Sequence, residues 1–257
     1  MRHCLLLASA LAVGSAVQAH DTWFAPQPDG TLTLATGNRF PVAELAVDEQ
    51  YFVKRGCRAA DGSAHTLEEI RYTDTATLLR IGRGSRAAAG HSCFVQLVPF
   101  EFELPADKIE VYFKEIRPSA AVLAAWAELK ARGLPFIERY TKSARIEIGT
   151  HGSAAAEPVD VAMDALRVAP AGALTVSSEA VFELRREGRP LPDFNIELVN
   201  ERSPVGLWHR TDAQGRIRAR LPLPGRWLLR GTDLRLAAGD ATRWESQFIT
   251  YAFEVGR

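Results

Sequence analysis

Apolar and polar residues alternate along the last third of the chain, and this period of two constrains the fold more than any other feature. Every second residue from Ile217 to Leu223 is apolar, and residues 249–255 repeat the pattern with larger side chains. Because successive side chains of a strand point to opposite faces of a sheet, each run predicts a strand with one buried face. Strands at this spacing predict an immunoglobulin-like β-sandwich over residues 159–257.

The first half of the chain combines short strands with helices. Residues 31–98 predict short strands separated by glycines, and from Pro105 the apolar residues take a helical spacing. These residues are Ile109, Tyr112, Phe113 and Ile116 in a first helix, and Val122, Leu123, Trp126 and Leu129 in a second helix that Ser119 caps. A third helical piece is predicted from Phe136 to about Ala144. The helical insertion therefore covers about residues 105–145.

The predicted fold is mainly β and contains two immunoglobulin-like β-sandwich regions. The first region, residues 20–150, carries the helical insertion, and the second region covers residues 159–257. Between them, the small and polar segment from Gly149 to Pro158 has the composition of a linker.

Residues 1–19 have the three parts of a secretory signal peptide. A basic start, Met1-Arg2-His3, precedes an apolar run from Cys4 to Val13, and the small residues Val17 and Ala19 mark the cleavage site. The apolar run is too short to span a bilayer, so it is predicted to be removed rather than retained as an anchor. We therefore expect cleavage after Ala19, a periplasmic protein, and no membrane insertion of the mature chain.

Export also decides how the cysteines are interpreted. Cleavage leaves Cys57 and Cys93. An oxidising compartment favours a disulfide between them, and two unrelated buried thiols are the alternative.

Charge and motifs exclude several function classes. The chain has 31 Lys and Arg residues and 31 Asp and Glu residues, so its formal net charge is zero. This balance gives no support for a nucleic-acid partner or for a polybasic membrane patch. The sequence contains no His-Glu-x-x-His motif, no Gly-x-Ser-x-Gly elbow and no phosphate loop. We therefore predict that the protein is not an enzyme, although a triad of residues distant in sequence stays open.

Cleavage after Ala19 would make His20 the first residue of the mature chain. A terminal histidine carries a free α-amine and its ring Nδ1 on one residue, so both atoms can bind one metal ion. These donors suit Cu(II), Ni(II) or Co(II). The further candidate ligands are Asp21, His91 and His151. In the alternative interpretation, cleavage exposes a histidine that binds no metal.

Several stretches of the chain resemble one protein family. They are Ala19-His20-Asp21-Thr22-Trp23-Phe24-Ala25-Pro26, Glu103-Leu104-Pro105-Ala106-Asp107-Lys108, Glu138-Arg139-Tyr140 before Lys142, Thr211-Asp212-Ala213-Gln214-Gly215, Leu223-Pro224-Gly225-Arg226-Trp227-Leu228-Leu229-Arg230, and Trp244-Glu245-Ser246 through Phe253. Together they resemble bacterial periplasmic proteins that are commonly labelled the periplasmic component of a nickel/cobalt uptake system. The resemblance implies a mostly β protein with a C-terminal immunoglobulin-like domain, a role in transition-metal handling, and an inner-membrane metal transporter as partner.

One departure from the family weakens the prediction of nickel or cobalt. Where such proteins often carry a His-x-Met-like segment, this chain has Gly231-Thr232-Asp233-Leu234, so a soft ligand would be missing. Two alternatives therefore stay open. The protein is a periplasmic copper carrier, or it is an envelope adhesion or scaffold module whose Trp208, Trp227 and Trp244 pack in the core.

Overall fold

The computed structural model describes residues 20–82, 90–149 and 157–257. Strands dominate these residues, so the mainly β prediction is confirmed. In chain order the strands are β1 (Asp21–Pro26), β2 (Leu32–Gly37), β3 (Leu45–Ala46), β4 (Phe52–Ala59), β5 (Ala64–His65), β6 (Leu67–Tyr72), β7 (Thr77–Ile81), β8 (His91–Leu97), β9 (Phe100–Leu104), β10 (Phe136–Ile148), β11 (Met163–Ala169), β12 (Leu174–Thr175), β13 (Glu179–Arg186), β14 (Arg189–Pro190), β15 (Asn195–Asn200), β16 (Leu207–Arg210), β17 (Arg216–Arg220), β18 (Gly225–Ala237) and β19 (Asp240–Gly256).

The strands form three sheets. The N-terminal sheet has the order β1-β2-β7-β6, with β3 beside β2. The central sheet has ten strands in the order β16-β15-β18-β19-β10-β8-β4-β5, with β9 beside β10 and β12 beside β19. The C-terminal sheet joins β11, β13, β14 and β17.

A parallel pair of strands crosses the middle of the central sheet. β10 pairs with β19 in register from Glu138 opposite Trp244 to Ile146 opposite Ala252. Strands from both sides of the predicted linker therefore belong to one sheet. The boundary between regions 20–150 and 159–257 stays a prediction.

The central sheet is covered on both faces. Its front face carries Lys142, Ala144 and Ile146 of β10, and its back face carries Arg145. On the front, Ala144 and Ile146 pack with side chains of the N-terminal sheet. On the back, Tyr251 and its neighbours on β19 pack against the C-terminal sheet. These layers bury the apolar half of each alternating strand, which is the source of most folding free energy.

A helical hairpin covers the remaining part of the front face. It consists of α1 (Ala106–Ile116) and α2 (Ala120–Ala131). The Ser119 hydroxyl caps α2 by accepting a hydrogen bond from the backbone N–H of Val122 at 3.3 Å. The apolar side of α1 packs on Phe136 and Trp244 of the central sheet. Both helices lie where the sequence predicts them.

The prediction of a third helix is wrong. The residues from Phe136 to Ala144 belong to β10, which pairs with β9, β8 and β19. In this segment Phe136 and Glu138 are buried and Arg139 is exposed, and Phe136 lies opposite Leu104 of β9. Neighbouring strands on both sides override the helical spacing because they satisfy the backbone groups of β10.

The predicted cysteine pair is confirmed. Cys57 of β4 and Cys93 of β8 lie opposite one another in register, and their Sγ atoms are 2.08 Å apart, a disulfide distance. The bond lies among the buried side chains between the central and N-terminal sheets.

Neither helix of the described residues is long and apolar enough to cross a membrane.

The core between the central and C-terminal sheets provides the first prediction. Leu229 has no exposed surface. We expect Leu229→Ala to lower the free energy of unfolding by about 2–5 kcal/mol, because the substitution removes buried apolar surface and leaves a cavity. Urea denaturation followed by circular dichroism measures the change. The matched control is Leu123→Ala on the exposed side of α2, which should change the free energy of unfolding by less than about 0.5 kcal/mol. Equal losses in the two variants would contradict this assignment of the core.

Candidate metal-binding site

On the front face of the central sheet, one apolar cluster lies beneath the N-terminal sheet and another beneath the helical hairpin. A row of polar residues lies between these two clusters. Thr250, Arg230 and Glu197 lie in register on β19, β18 and β15, and Lys142 lies nearby on β10. We call these four residues the polar seam. Their polar atoms need partners because the elements that cover the sheet shield them from water.

The start of β1 supplies those partners. The ammonium group of Lys142 donates a hydrogen bond to the backbone carbonyl of His20 at 2.6 Å. The Thr250 hydroxyl donates to the backbone carbonyl of Thr22. The first residues of β1 are therefore held on the seam by backbone contacts, whichever side chains they carry.

A charged network anchors the same residues. Arg230 donates to Asp21 Oδ2 at 2.7 Å and to Glu197 Oε2 at 2.6 Å. Although burial lowers the pKa of Arg230, the charges of Asp21 and Glu197 outweigh this effect and raise it. The guanidinium group thus stays charged and lies between two carboxylates. Such charge-assisted bonds are among the stronger hydrogen bonds in proteins.

Asp21 was predicted as a metal ligand, and the structure places its carboxylate on Arg230. The residue is only 8% exposed. This contact makes Asp21 an anchor of β1 and occupies the Oδ2 atom of the Asp21 carboxylate. Its role as a ligand stays a prediction.

The His20 imidazole lies at the edge of the seam, and about a third of its side chain is exposed. Its Nε2 is 3.5 Å from Glu44 Oε2. The Asn38 amide donates to the same Glu44 oxygen at 2.9 Å. Glu44 thus contacts the ring nitrogen that lies farther from the backbone. Nδ1 is the ring nitrogen that can share a metal ion with the α-amine.

Lys142 is the titratable group closest to the His20 backbone. Its ammonium group lies 5.4 Å from the centre of the Tyr140 ring and 5.7 Å from that of Phe248. Burial among these rings lowers the pKa of Lys142 to about 8, although the carboxylates of Asp21 and Glu138 oppose the shift. The lysine therefore stays largely protonated at pH 7 and loses its charge as the pH rises through about 8.

His91, another predicted ligand, does not join His20. His91 is buried on β8 opposite Ile148 of β10, and its ring lies 5.6 Å from that of His65. Ile148 is four residues along β10 from Ala144, which lies beside Thr250 of the seam. That separation is about 13 Å along a strand. His151 lies outside the described residues.

The residues that hold His20 and Asp21 in this site were not predicted from the sequence as functional. Glu44 and Lys142 contact His20, and Arg230 contacts Asp21, although all three are distant in sequence. No local spacing signals such contacts. The only signal was the resemblance, whose quoted stretches include Lys142 and Arg230 without assigning either a role.

Within the described ranges, no group of three or more His, Cys, Asp or Glu side chains is placed to hold a metal ion. In the comparisons with known proteins, no protein-family model, no curated protein and no solved structure matches this chain.

The anchoring role of Asp21 can be tested without metal. We expect Asp21→Asn to lower the free energy of unfolding by about 1–3 kcal/mol, since it leaves Arg230 with one charged partner in a mostly buried network. Urea denaturation measures the loss. The control is Asp193→Asn, which removes an ion pair to Arg210 between two largely exposed side chains. It should cost less than about 0.5 kcal/mol. If the control loses as much stability as Asp21→Asn, Asp21 is not an anchor.

Proposed function

We propose that the chain, once cleaved after Ala19, is a non-catalytic periplasmic protein that binds a divalent transition metal, nickel or cobalt, at His20. The α-amine and Nδ1 of His20 hold the ion in one chelate ring. Both donors must lose their protons to bind, so affinity rises with pH through the range in which an α-amine titrates, near pH 8.

The contact between Glu44 and His20 is the observation that carries this proposal. Metal-ligating histidines almost always donate their other ring N–H to a carboxylate, a carbonyl or water, which fixes the tautomer and the ring orientation. Glu44 lies 3.5 Å from Nε2, so a proton on Nε2 leaves Nδ1 as the lone-pair donor. Asn38 holds the Glu44 carboxylate in place through its side-chain amide.

The seam supports the proposal because it holds the chain end before a metal arrives. Lys142 donates a hydrogen bond to the backbone carbonyl of His20, and Arg230 binds the carboxylate of the next residue, Asp21. A ligand that is already fixed loses less conformational entropy on binding. A metal-binding end held in this way binds more tightly than the same two donors on a free peptide.

The donor set also favours transfer of the ion to a partner. Two donors from one residue leave most coordination positions of nickel or cobalt to water or to another protein. The proposed partner is an inner-membrane metal transporter, which would supply ligands and take over the ion. A transition metal held by few protein ligands exchanges more readily than one in a closed site.

Copper is the second candidate metal. Amine and imidazole nitrogens bind Cu(II) more tightly than any other divalent ion of the first transition row. The absence of a soft ligand in the sequence from Gly231 to Leu234 weakens the prediction of nickel or cobalt but does not count against Cu(II), which nitrogen and oxygen ligands suit.

The finer fold proposal concerns residues 159–257. We infer that they form an immunoglobulin-like sandwich. In support, β15, β16, β18 and β19 face β13 and β17 across one shared apolar core. Two antiparallel sheets packed over such a core are the architecture of that sandwich.

Calorimetric titration of the processed protein with Ni(II), Co(II) and Cu(II) tests the metal proposal. We expect one equivalent to bind. Binding should be lost in His20→Ala and in a variant with one extra residue before His20, because that residue turns the α-amine into an amide. Glu44→Gln should weaken affinity about tenfold, as is typical when the carboxylate partner of a ligating histidine is removed.

His65→Ala is the matched control, because this second half-buried histidine lies away from the seam. It should keep the full affinity. The proposal is wrong if His65→Ala loses binding while His20→Ala retains it, or if the extended variant binds as tightly as the processed chain. If Cu(II) is the only ion bound at micromolar concentrations, the protein is a copper carrier.

A further inference from the structure

A buried carboxyl group lies beneath the helical hairpin, and the metal site does not use it. Glu138 of β10 has no exposed surface. It lies opposite Trp244 of β19 and Phe102 of β9 in the strand registers. Phe136, Trp244 and Tyr112 belong to the apolar cluster that joins the hairpin to the central sheet. A charge in such surroundings is costly unless it is compensated.

The hydrogen bonds of Glu138 connect the hairpin to the sheet. The Tyr112 hydroxyl of α1 donates to Oε1 at 2.8 Å, and the Ser246 hydroxyl of β19 donates to the same oxygen. The other carboxyl oxygen, Oε2, is buried and has no hydrogen-bond partner among the described residues. Glu138 is thus a polar contact between α1 and the central sheet, and only one of its two oxygens is satisfied.

The charges around Glu138 do not compensate an ionised carboxylate. Tyr112 faces it from α1, with the Glu115 carboxylate near that tyrosine, and Tyr140 and Lys142 lie on its own strand. No cation of the described chain is within ion-pair distance of its oxygens. Burial therefore raises the pKa of Glu138 to about 7, and the two donated hydrogen bonds and Lys142 offset this only in part. The pKa of Tyr112 lies well above 10, so its hydroxyl remains a donor across the neutral range.

We propose that Glu138 is a proton-operated latch that fastens the helical hairpin α1–α2 to the central sheet. The neutral carboxyl group fits the apolar cluster, and the hairpin stays closed. The ionised carboxylate is better solvated outside the cluster, so ionisation favours opening of the hairpin. The latch does not depend on metal binding.

Linkage gives the direction and the size of the effect. In an open hairpin Glu138 would be solvated and would recover its ordinary pKa of 4.5, whereas in the closed state the pKa is about 7. The proton on Glu138 stabilises the closed hairpin. This stabilisation is complete below pH 4.5 and is lost as the pH rises through about 7. Between pH 6 and pH 8 the opening equilibrium should increase about tenfold.

The latch also reaches the polar seam. Glu115 and Ile116, at the end of α1, line a small cavity together with Asp21 and Arg230. Movement of α1 away from the sheet would therefore expose the network that anchors β1. The start of β1 should become more mobile at the same pH at which the hairpin opens.

Hydrogen exchange of the full processed chain, without metal, tests the latch. Protection factors already correct for the intrinsic pH dependence of exchange, so they isolate the opening equilibrium. We expect the protection of α1 amides in the unmodified protein to fall about tenfold from pH 6 to pH 8, with no such change in β13. In Glu138→Gln, whose side chain cannot ionise, α1 protection should be independent of pH over this range. The matched control is Glu128→Gln on the exposed side of α2, which should behave as the unmodified protein does.

A second measurement on the unmodified protein covers the case in which Glu138→Gln fails to fold. Infrared difference spectra between pH 6 and pH 8 should show a buried protonated carboxyl group that is lost on the alkaline side. The latch is refuted if that signal is missing, or if α1 protection does not change between these pH values. It is also refuted if Glu138→Gln folds and keeps the tenfold dependence.

Discussion

The paired contacts of Arg230 with Asp21 and Glu197 are the interaction on which the rest of the structure depends. Arg230 lies in the polar seam between two apolar clusters of the sheet face, so its charge has to be matched locally. Glu197 on the neighbouring strand supplies one carboxylate, and Asp21 at the start of the first strand supplies the other. The start of β1 is thereby tied to a strand more than two hundred residues away.

This anchoring fixes the start of β1 and leaves the His20 side chain at its edge. Lys142 and Thr250 hold backbone carbonyls of β1, so they place His20 and Thr22 without using their side chains. The His20 imidazole is left at the edge, where Glu44 orients it and solvent can reach it. The polar seam thus links fold stability to the position of the proposed metal ligands, and the helical hairpin packs directly beside it.

Short-range features of the fold could be predicted from the sequence, whereas among the long-range ones only the Cys57–Cys93 disulfide was predicted. The alternation from Ile217, the helical spacing of α1 and the Ser119 cap are local signals. The last two agree with the structure, and the alternation holds as far as Leu221, since β17 ends at Arg220 and Leu223 is exposed. The segment from Phe136 was mistaken for a helix because its burial is imposed by neighbouring strands. The parallel pairing of β10 with β19 has no local signal at all. Within the candidate site, the prediction of His20 rests on the expected cleavage after Ala19, whereas the contact to Glu44 requires the folded loop.

A crystal structure of the processed chain, grown with Ni(II) and phased at the nickel absorption edge, tests the central claim most directly. The account predicts one anomalous peak at the chain end, bonded to the α-amine and Nδ1 of His20. Nε2 should point at Glu44, and Asp21 should remain on Arg230. A peak on Nε2, a peak at the His65 and His91 rings instead of at His20, or a chain end detached from Lys142 and Arg230 would contradict it.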